Sequence, residues 1–176
     1  MEHAADPDVV QDARRGSEAA FTSMLQPLLE PAYRLAVGML QDRSLAEDAV
    51  QEAAVKAWRR LDQLREGAEI RPWFLGIVAN ECRTTRRGRW WQVLKTDPVR
   101  TAQAPEEQSA QGIDLRNALK RLNQEQRLVV VLYFYLDLPL QEIAGIAGAS
   151  YAAVRGRLYR GIRELKADFA MSEAEG

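Results

Sequence analysis

A cluster of basic residues near the C-terminal end of the chain has the composition of a nucleic-acid contact. Residues 155–166 hold five arginines and lysines and one acid, Glu164. On a helix, at about 100° per residue, an apolar stripe would lie on one side and most of these cations on the other. Guanidinium groups on such a helix can reach guanine O6 and N7 or phosphate oxygens in a major groove. The candidate duplex-DNA contacts are Arg155, Gly156, Arg157, Tyr159, Arg160 and Arg163.

The residues before this helix predict a helix-turn-helix. A short helix from Leu140 is followed by Gly148, which can supply the positive φ that a tight turn often requires. Ser150 can then cap the basic helix. A basic face alone is more typical of a solvated helix, so it is the turn and the cap, together with this face, that favour DNA binding.

A second basic run lies in the middle of the chain. Residues 83–95 hold five cations and no acid, and Trp90 and Trp91 lie among them. Interleaved cations and aromatic rings suit unpaired DNA, because the cations follow the phosphates while the rings stack on exposed bases. Trp73 and Phe74, just upstream, suit a buried core as well, and Trp90 and Trp91 could instead anchor a protein interface.

The balanced overall charge conceals an acidic N-terminal region. The net charge is -1, yet residues 1–52 hold ten acids and four arginines, so this region should repel DNA and contact protein. Glu47, Asp48 and Glu52 would span a broad helix face and not converge on one metal ion. The single cysteine, Cys82, and the single histidine, His3, exclude most nucleophilic and thiolate-metal schemes. We therefore expect no catalysis, no metal and no cofactor.

Composition divides the chain into two lobes. It has 176 residues, of which 47% are hydrophobic, as in globular proteins. Residues 95–112 are polar, with two prolines and a glycine, and are predicted to be a flexible linker. The lobes would be residues 8–94 and 113–170. Because no apolar stretch approaches the length of a membrane span, we expect a soluble cytoplasmic protein without membrane insertion.

Local signals indicate helices in both lobes. Ser17 is a candidate N-cap, Pro31 should restart or bend the chain, and Pro72 suits the first turn of another helix. Ser44 and Glu47 have the spacing of a capping box. Residues 129–136, rich in valine and aromatic residues, would also suit a strand, but no partner strand is evident, so we predict a fully buried helix. The fold class is all-α: two small helical domains joined by a flexible linker.

Four stretches, in this order, resemble a known family. They are Gly-Ser-Glu-Ala-Ala-Phe at 16–21, Ala-Glu-Asp-Ala-Val-Gln-Glu at 46–52 with Trp58, Arg-Pro-Trp-Phe-Leu-Gly-Ile-Val-Ala-Asn at 71–80, and the helix-turn-helix. From about residue 9 to 168 the chain resembles bacterial RNA polymerase sigma factors of the compact extracytoplasmic-function type. The second and fourth stretches are the specific ones.

The resemblance implies a transcription initiation factor that directs core RNA polymerase to promoter DNA. Residues 8–94 would correspond to sigma region 2 and residues 113–170 to sigma region 4, which would read the minus-thirty-five element as duplex. The loop 61–71 would hold an extruded base, and further partners would be the β flap and an anti-sigma factor. Docking on the β′ clamp helices would fall to Asp48, Gln51, Glu52 and Trp58, and contact with the melted minus-ten strand to Trp73, Asn80, Arg83, Arg86 and Arg87.

This chain departs from the family at four positions. Thr84 stands where the family often has Asp, and Pro139 where a Ser or Thr cap is common. Ala153 and Gly156 replace a common Thr and Ser of the recognition helix, which leaves Arg155, Tyr159 and Arg160 as the best candidates for base readout. A mid-helix glycine costs about 1 kcal/mol, which either close approach to the DNA backbone or simple tolerance would explain.

Two other classes of function compete with this interpretation. A helix-turn-helix regulator that acts without polymerase would share the second lobe, so only the first lobe can discriminate between the two. A nucleic-acid enzyme would need convergent carboxylates, which the spacing of Glu47, Asp48 and Glu52 disfavours.

Overall fold

The described part of the chain is entirely helical. A computed structural model describes residues 6–65, 67–93 and 110–174, and the side chains of 6–65, 67–86 and 116–167. Most of the predicted linker lies outside these residues. The described ranges contain eight α-helices, which are α1 Pro7–Arg14, α2 Glu18–Leu40, α3 Arg43–Arg59, α4 Ile70–Val93, α5 Ala110–Arg121, α6 Gln124–Val130, α7 Leu140–Ala147 and α8 Tyr151–Ala174. The predicted all-α class is confirmed.

Helix α2 is the central element of the N-terminal half, residues 6–93. Ser17 caps it, accepting a 3.2 Å hydrogen bond from the Ala20 amide. The prediction that Pro31 restarts the chain is wrong, because one helix runs through both Pro27 and Pro31. An interior proline costs about 3 kcal/mol. Burial of Leu28, Ala32 and Leu35 against α3 and α4 offsets that cost.

A two-residue turn connects α2 to α3. Gln41 takes the left-handed conformation, with φ 57°, and Asp42 is the N-cap of α3, accepting from the Leu45 amide at 3.1 Å. The predicted Ser44–Glu47 capping box is therefore wrong, since Ser44 already lies inside the helix. Lys56 of α3 binds Glu81 of α4 at 2.7 Å and ties these two helices together. Pro72 occupies the first turn of α4, as predicted.

The apolar run at 129–136 is helical, but only its first half is buried. Asn123 and Gln126 form a reciprocal capping box at the start of α6. After Val130 the chain widens into a π-helical turn, Val131–Tyr135, in which the Leu136 amide donates to the Val131 carbonyl. The predicted full burial is wrong for Tyr133, Phe134 and Tyr135, which are 37%, 60% and 48% exposed. The wider turn changes the direction in which successive side chains point.

The predicted turn between α7 and α8 is confirmed. Gly148 ends α7 with φ 60°, and Ser150 caps α8 by accepting from the Ala153 amide at 3.2 Å. Pro139 precedes α7 and makes no side-chain cap. Helix α8 runs for 24 residues and is three times as long as α7.

The two halves of the chain, residues 6–93 and 110–174, pack against each other. Buried residues of both belong to one continuous hydrophobic cluster. Gly38 of α2 lies against Val131, where an added Cβ would come within 2.7 Å of Val131 Cγ1. Helix α7 packs along α4. Helix α5 begins at Ala110, inside the segment that we expected to be linker. Within the described ranges, no helix has the length and apolar character to cross a bilayer.

Candidate nucleic-acid interface

Helix α8 has one buried and one exposed face, as its sequence predicts. Val154 and Leu158 are buried, while Tyr159 is 66% exposed. The exposed face also carries three arginines, Arg155, Arg160 and Arg163. Their guanidinium groups can therefore reach a ligand outside the protein, and their charge and spacing suit phosphates and guanine edges.

Gly156 lies on the exposed side of α8, beside Arg160. A Cβ built at Gly156 would lie 3.5 Å from Arg160 Nη1, which is an ordinary contact distance. Nothing within the described chain therefore requires a glycine at this position.

Arg157 differs from the other α8 arginines, because it points back toward the protein. Its Nη1 lies 3.0 Å from Glu125 Oε2, and its side chain is 25% exposed. The contact is an ion pair without the alignment of a hydrogen bond. Arg157 is therefore engaged within the protein, unlike the three exposed arginines.

The candidate residues of α4 occupy different environments. Asn80 is exposed and accepts from Arg83 Nη1 at 2.9 Å, whereas Trp73 is partly buried against the core. Arg83 binds Glu125 through two nitrogens, at 3.0 and 3.2 Å. The side chain of Arg87 lies outside the described residues. The structure therefore brings Asn80 and Arg83 into contact, while Trp73 packs on the core.

Arg86 is a partly buried cation with an unusual environment. Its Nη1 is buried without a hydrogen-bond partner among the described residues, and burial lowers the pKa of its guanidinium. Arg86 also lowers the pKa of the neighbouring Arg127, an effect that adds to that of burial. Two like charges, one partly buried and one buried, therefore lie near each other.

The loop before α4 is fixed at both ends. Leu61 and Leu64 are buried, and Arg14 Nη2 donates to the Leu64 carbonyl. Arg71 Nε lies 3.5 Å from Glu142 Oε1 of α7. Residue 66 lies outside the described part of the loop.

An acidic and polar face of α3 is open to solvent. Asp48, Gln51 and Glu52 are all exposed. Trp58, predicted to belong to the same surface, is half-buried, and its ring stacks edge-on against Phe21 with centroids 4.9 Å apart. The three polar residues thus form an accessible acidic and polar face, whereas Trp58 packs α3 against Phe21 of α2.

The residues that join the two halves were not predicted from the sequence. Arg127 is only 2% exposed and donates to the carbonyls of Leu119, Lys120 and Leu122, at the C-terminal end of α5, and of Met39 in α2. Its position directly before an apolar run could have indicated a buried cation. Glu125 gave no such signal, because an acid in the first turn of a helix is ordinary.

The described residues form no metal centre and no reactive thiol. None of their groups of three or more His, Cys, Asp or Glu side chains could hold an ion. Cys82 is fully buried, and burial, reinforced by the adjacent Glu81, raises the pKa of its thiol to about 12. The interface therefore contributes charge and shape.

Comparison with known proteins gives consistent matches over both halves. The sigma-70 region 2 family matches residues 24–92, and the sigma-70 region 4 family matches residues 113–165. The RNA polymerase sigma factor SigV of Bacillus subtilis (strain 168) is 30% identical over 135 residues, covering 76% of this chain and 81% of SigV. The ECF RNA polymerase sigma factor SigL of Mycobacterium tuberculosis (strain ATCC 35801 / TMC 107 / Erdman) is 27% identical, covering 86% of this chain and 92% of SigL.

A solved structure matches the fold across both halves. The sigma factor RpoE of Bartonella quintana, crystallised in complex with the anti-sigma factor NepR, superposes with a TM-score of 0.72 at 25% identity. The superposition covers 85% of this chain and 96% of that one. Neither half alone is long enough for such coverage, so the likeness includes residues from both.

Proposed function

Because the chain belongs to the sigma-70 family as an RNA polymerase sigma factor of the extracytoplasmic-function type, we propose how its surfaces divide the work of directing transcription from promoters. Residues 8–94 act as region 2 and residues 113–170 as region 4, joined by a linker at 95–112. Helix α8 reads the minus-thirty-five element as duplex, and α4 with the loop 61–71 binds the melted minus-ten strand. The chain performs no catalysis itself and works in the cytoplasm.

The observation that carries the proposal is the two-sided character of α8. Val154 and Leu158 fix the helix to the core, and Arg155, Tyr159 and Arg160 face outward after a glycine turn and a serine cap. A recognition helix needs this arrangement, since its buried side must hold it rigidly while its outer side enters the groove. Gly156, Arg157 and Arg163 complete the proposed duplex surface.

The proposed single-strand surface lies on α4. Asn80 and Arg83 already contact each other, and Trp73, Arg86 and Arg87 lie on the same helix. A flipped base costs a few kcal/mol to extrude, and a pocket in the loop 61–71 would offset that cost.

The proposed polymerase surface lies on α3. Asp48, Gln51 and Glu52 are exposed together, and their negative charge suits a basic partner such as the β′ clamp helices. Trp58 supports this surface through its contact with Phe21. The other proposed partners are the β flap and an anti-sigma factor, the latter supported by the complex in which the Bartonella sigma factor was crystallised.

Paired variants test this division between α8 and α3. Arg155→Ala/Arg160→Ala should bind core polymerase like the wild type but reduce promoter-specific transcription by at least about tenfold, because two guanidinium contacts to DNA are lost. Asp48→Lys/Glu52→Lys should instead weaken the binding of core polymerase. Arg15→Ala and Glu30→Lys, exposed positions outside α3 and α8, serve as controls.

Two outcomes would contradict the proposal. Equal loss of polymerase binding in both double variants would show that α8 and α3 do not have separate roles. A wild-type chain that protects duplex promoters tightly without polymerase would favour the alternative, a helix-turn-helix regulator that acts alone.

A further inference from the structure

The contact between the two halves of the chain is polar as well as apolar. Arg34 of α2 donates to the Tyr135 carbonyl at 2.5 Å, and its guanidinium lies 4.3 Å from the centroid of the Tyr135 ring. Arg127 joins the C-terminal ends of α5 and α2. Gly38 allows Val131 to pack directly on α2. The contacts of Arg34 and Gly38 and the bond from Arg127 to the Met39 carbonyl define one arrangement of the halves and would break if the halves separated.

Within this contact, Glu125 binds arginines from both proposed DNA surfaces. Its Oε1 and Oε2 accept from Arg83 of α4, and its Oε2 lies 3.0 Å from Arg157 of α8. The two arginine side chains are only 17% and 25% exposed, so their pairing with Glu125 is partly shielded from solvent. A carboxylate accepts the guanidinium fork in the same geometry as a phosphate.

Most donors of Arg83 are engaged by these contacts. Its Nε and Nη2 donate to Glu125, and its Nη1 donates to Asn80, which leaves one N–H on each of Nη1 and Nη2. The Nε–Nη2 edge is the fork that a phosphate would take, so a DNA phosphate could bind it only by displacing Glu125.

The same arrangement covers α4 and leaves α3 open. Helix α7 packs along α4, where Arg71 pairs with Glu142 and Gly76 faces the Ile146 carbonyl. The acidic face of α3, with Asp48 and Glu52, remains exposed. A partner could dock on α3 without moving the halves, whereas a DNA strand could not lie along α4.

We propose that Glu125 is an autoinhibitory residue: it occupies Arg83 and Arg157 in place of DNA phosphates, and its bonds to Arg83 hold the two halves in an arrangement that cannot bind a DNA strand. The halves must separate before α4 can act, and docking through α3 can precede that separation. This inference rests on the proposed DNA contacts of Arg83 and Arg157.

The test combines a distance between the halves with DNA affinity. Fluorescent labels at Thr22→Cys and Ala167→Cys, both exposed positions, report the distance by energy transfer, and Cys82 is too buried to compete for label. DNA affinity is measured with a short fluorescein-labelled single strand of random sequence at low salt. Glu125→Gln should lengthen the distance and tighten strand binding roughly two- to fivefold, the shift in the equilibrium expected from losing one partly exposed ion pair, because only the pair with Arg83 crosses between the halves.

Two further variants show whether tighter strand binding comes from separation of the halves or only from the loss of a negative charge. Glu164→Gln removes a carboxylate that contacts Gln126 within the same half, and should not lengthen the distance. Gly38→Ala leaves Glu125 intact but places a Cβ within 2.7 Å of Val131, so it should open the halves and tighten strand binding as well.

The remaining outcomes each overturn a defined claim. If Glu125→Gln neither lengthens the distance nor tightens strand binding beyond Glu164→Gln, the autoinhibitory role is wrong, and the function proposed for α8 and α3 is unaffected. If Glu125→Gln and Gly38→Ala both open the halves and strand affinity stays constant, Arg83 is not a DNA contact, and the proposed role of α4 fails with the autoinhibition.

Discussion

Arg127 Nη1 donates a 3.0 Å hydrogen bond to the Met39 carbonyl, so a buried cation of the C-terminal half satisfies the end of a helix in the N-terminal half. The last carbonyls of a helix have no partner within it, and the helix dipole makes them favour a cation. The same guanidinium also serves α5 through three carbonyls. One residue therefore couples the folding of the C-terminal half to its contact with α2.

Removing Arg127 should destabilise the protein strongly. Arg127→Leu would leave buried carbonyls without donors, and we expect a loss of about 3 kcal/mol in the free energy of unfolding. Arg127→Lys should recover only part of this loss, since an ammonium lacks the planar fork that reaches two helices. Urea denaturation measures both variants, and an Arg127→Leu protein as stable as the wild type would refute the coupling.

Gly156→Ala separates the two explanations for a glycine in the middle of α8. Nothing in the chain blocks a Cβ there, so the substitution should raise the free energy of unfolding by about 0.5–1 kcal/mol, the difference in helix propensity. If the DNA backbone approaches Gly156 closely, the same variant should bind promoter DNA more weakly within the holoenzyme. Unchanged promoter binding together with higher stability would show that the glycine is merely tolerated.

Cys82 should be unreactive until the protein unfolds. Burial raises the pKa of its thiol from an ordinary value near 9 to about 12, so at pH 8 only about one thiol in ten thousand is ionised. Alkylation by iodoacetamide should therefore be at least a hundredfold slower in the folded protein than in urea. Rapid labelling of the folded protein would contradict the described burial.

Cys82 should also give the stability of the protein an alkaline dependence. Because the pKa is raised in the folded state, the thiol contributes stability that is fully present below about pH 9 and is lost as the pH rises toward 12. Cys82→Ala should flatten the fall in the free energy of unfolding over this range, as followed by urea denaturation. If the free energy of unfolding of Cys82→Ala falls with pH as steeply as that of the wild type, groups other than Cys82 cause the fall.

Glu142 should be a destabilising carboxylate at neutral pH, although it pairs with Arg71. Burial raises its pKa, and the neighbouring Glu69 raises it further, while Arg71 lowers it. A raised carboxyl pKa favours folding in acid and disfavours it once the group ionises. Glu142→Gln should therefore be at least as stable as the wild type at pH 7. The difference in the free energy of unfolding between the two proteins should shrink as the pH is lowered. A marked loss of stability at pH 7 would show that the pairing with Arg71 dominates.

Helix faces and most caps were predictable from the sequence because they depend on neighbouring residues. The buried stripe of α8, the Gly148 turn and the caps at Ser17 and Ser150 all follow from helical periodicity and side-chain hydrogen bonding. The Asp42 cap was missed because the competing Ser44–Glu47 spacing matched the capping-box pattern, and the left-handed Gln41 was not foreseen.

The contact between the halves could not be predicted, since its determinants are far apart in the chain. Gly38 and Val131 become partners only in the folded protein, as do Arg83 and Glu125. The continuity of α2 through Pro31 has the same origin. Burial of this helix against other helices outweighs the tendency of proline to end a helix, which is the only signal that the local sequence gives. The exposed face of α8 was foreseen, but not that Arg157 is held apart from it.

The most direct test of the whole account maps transcription start sites on a genomic DNA library with bacterial core RNA polymerase, in the presence and absence of this protein. We predict new start sites that share both a minus-ten and a minus-thirty-five element, and that are lost with Arg155→Ala/Arg160→Ala. No new start sites, or new sites that survive this double substitution unchanged, would contradict it.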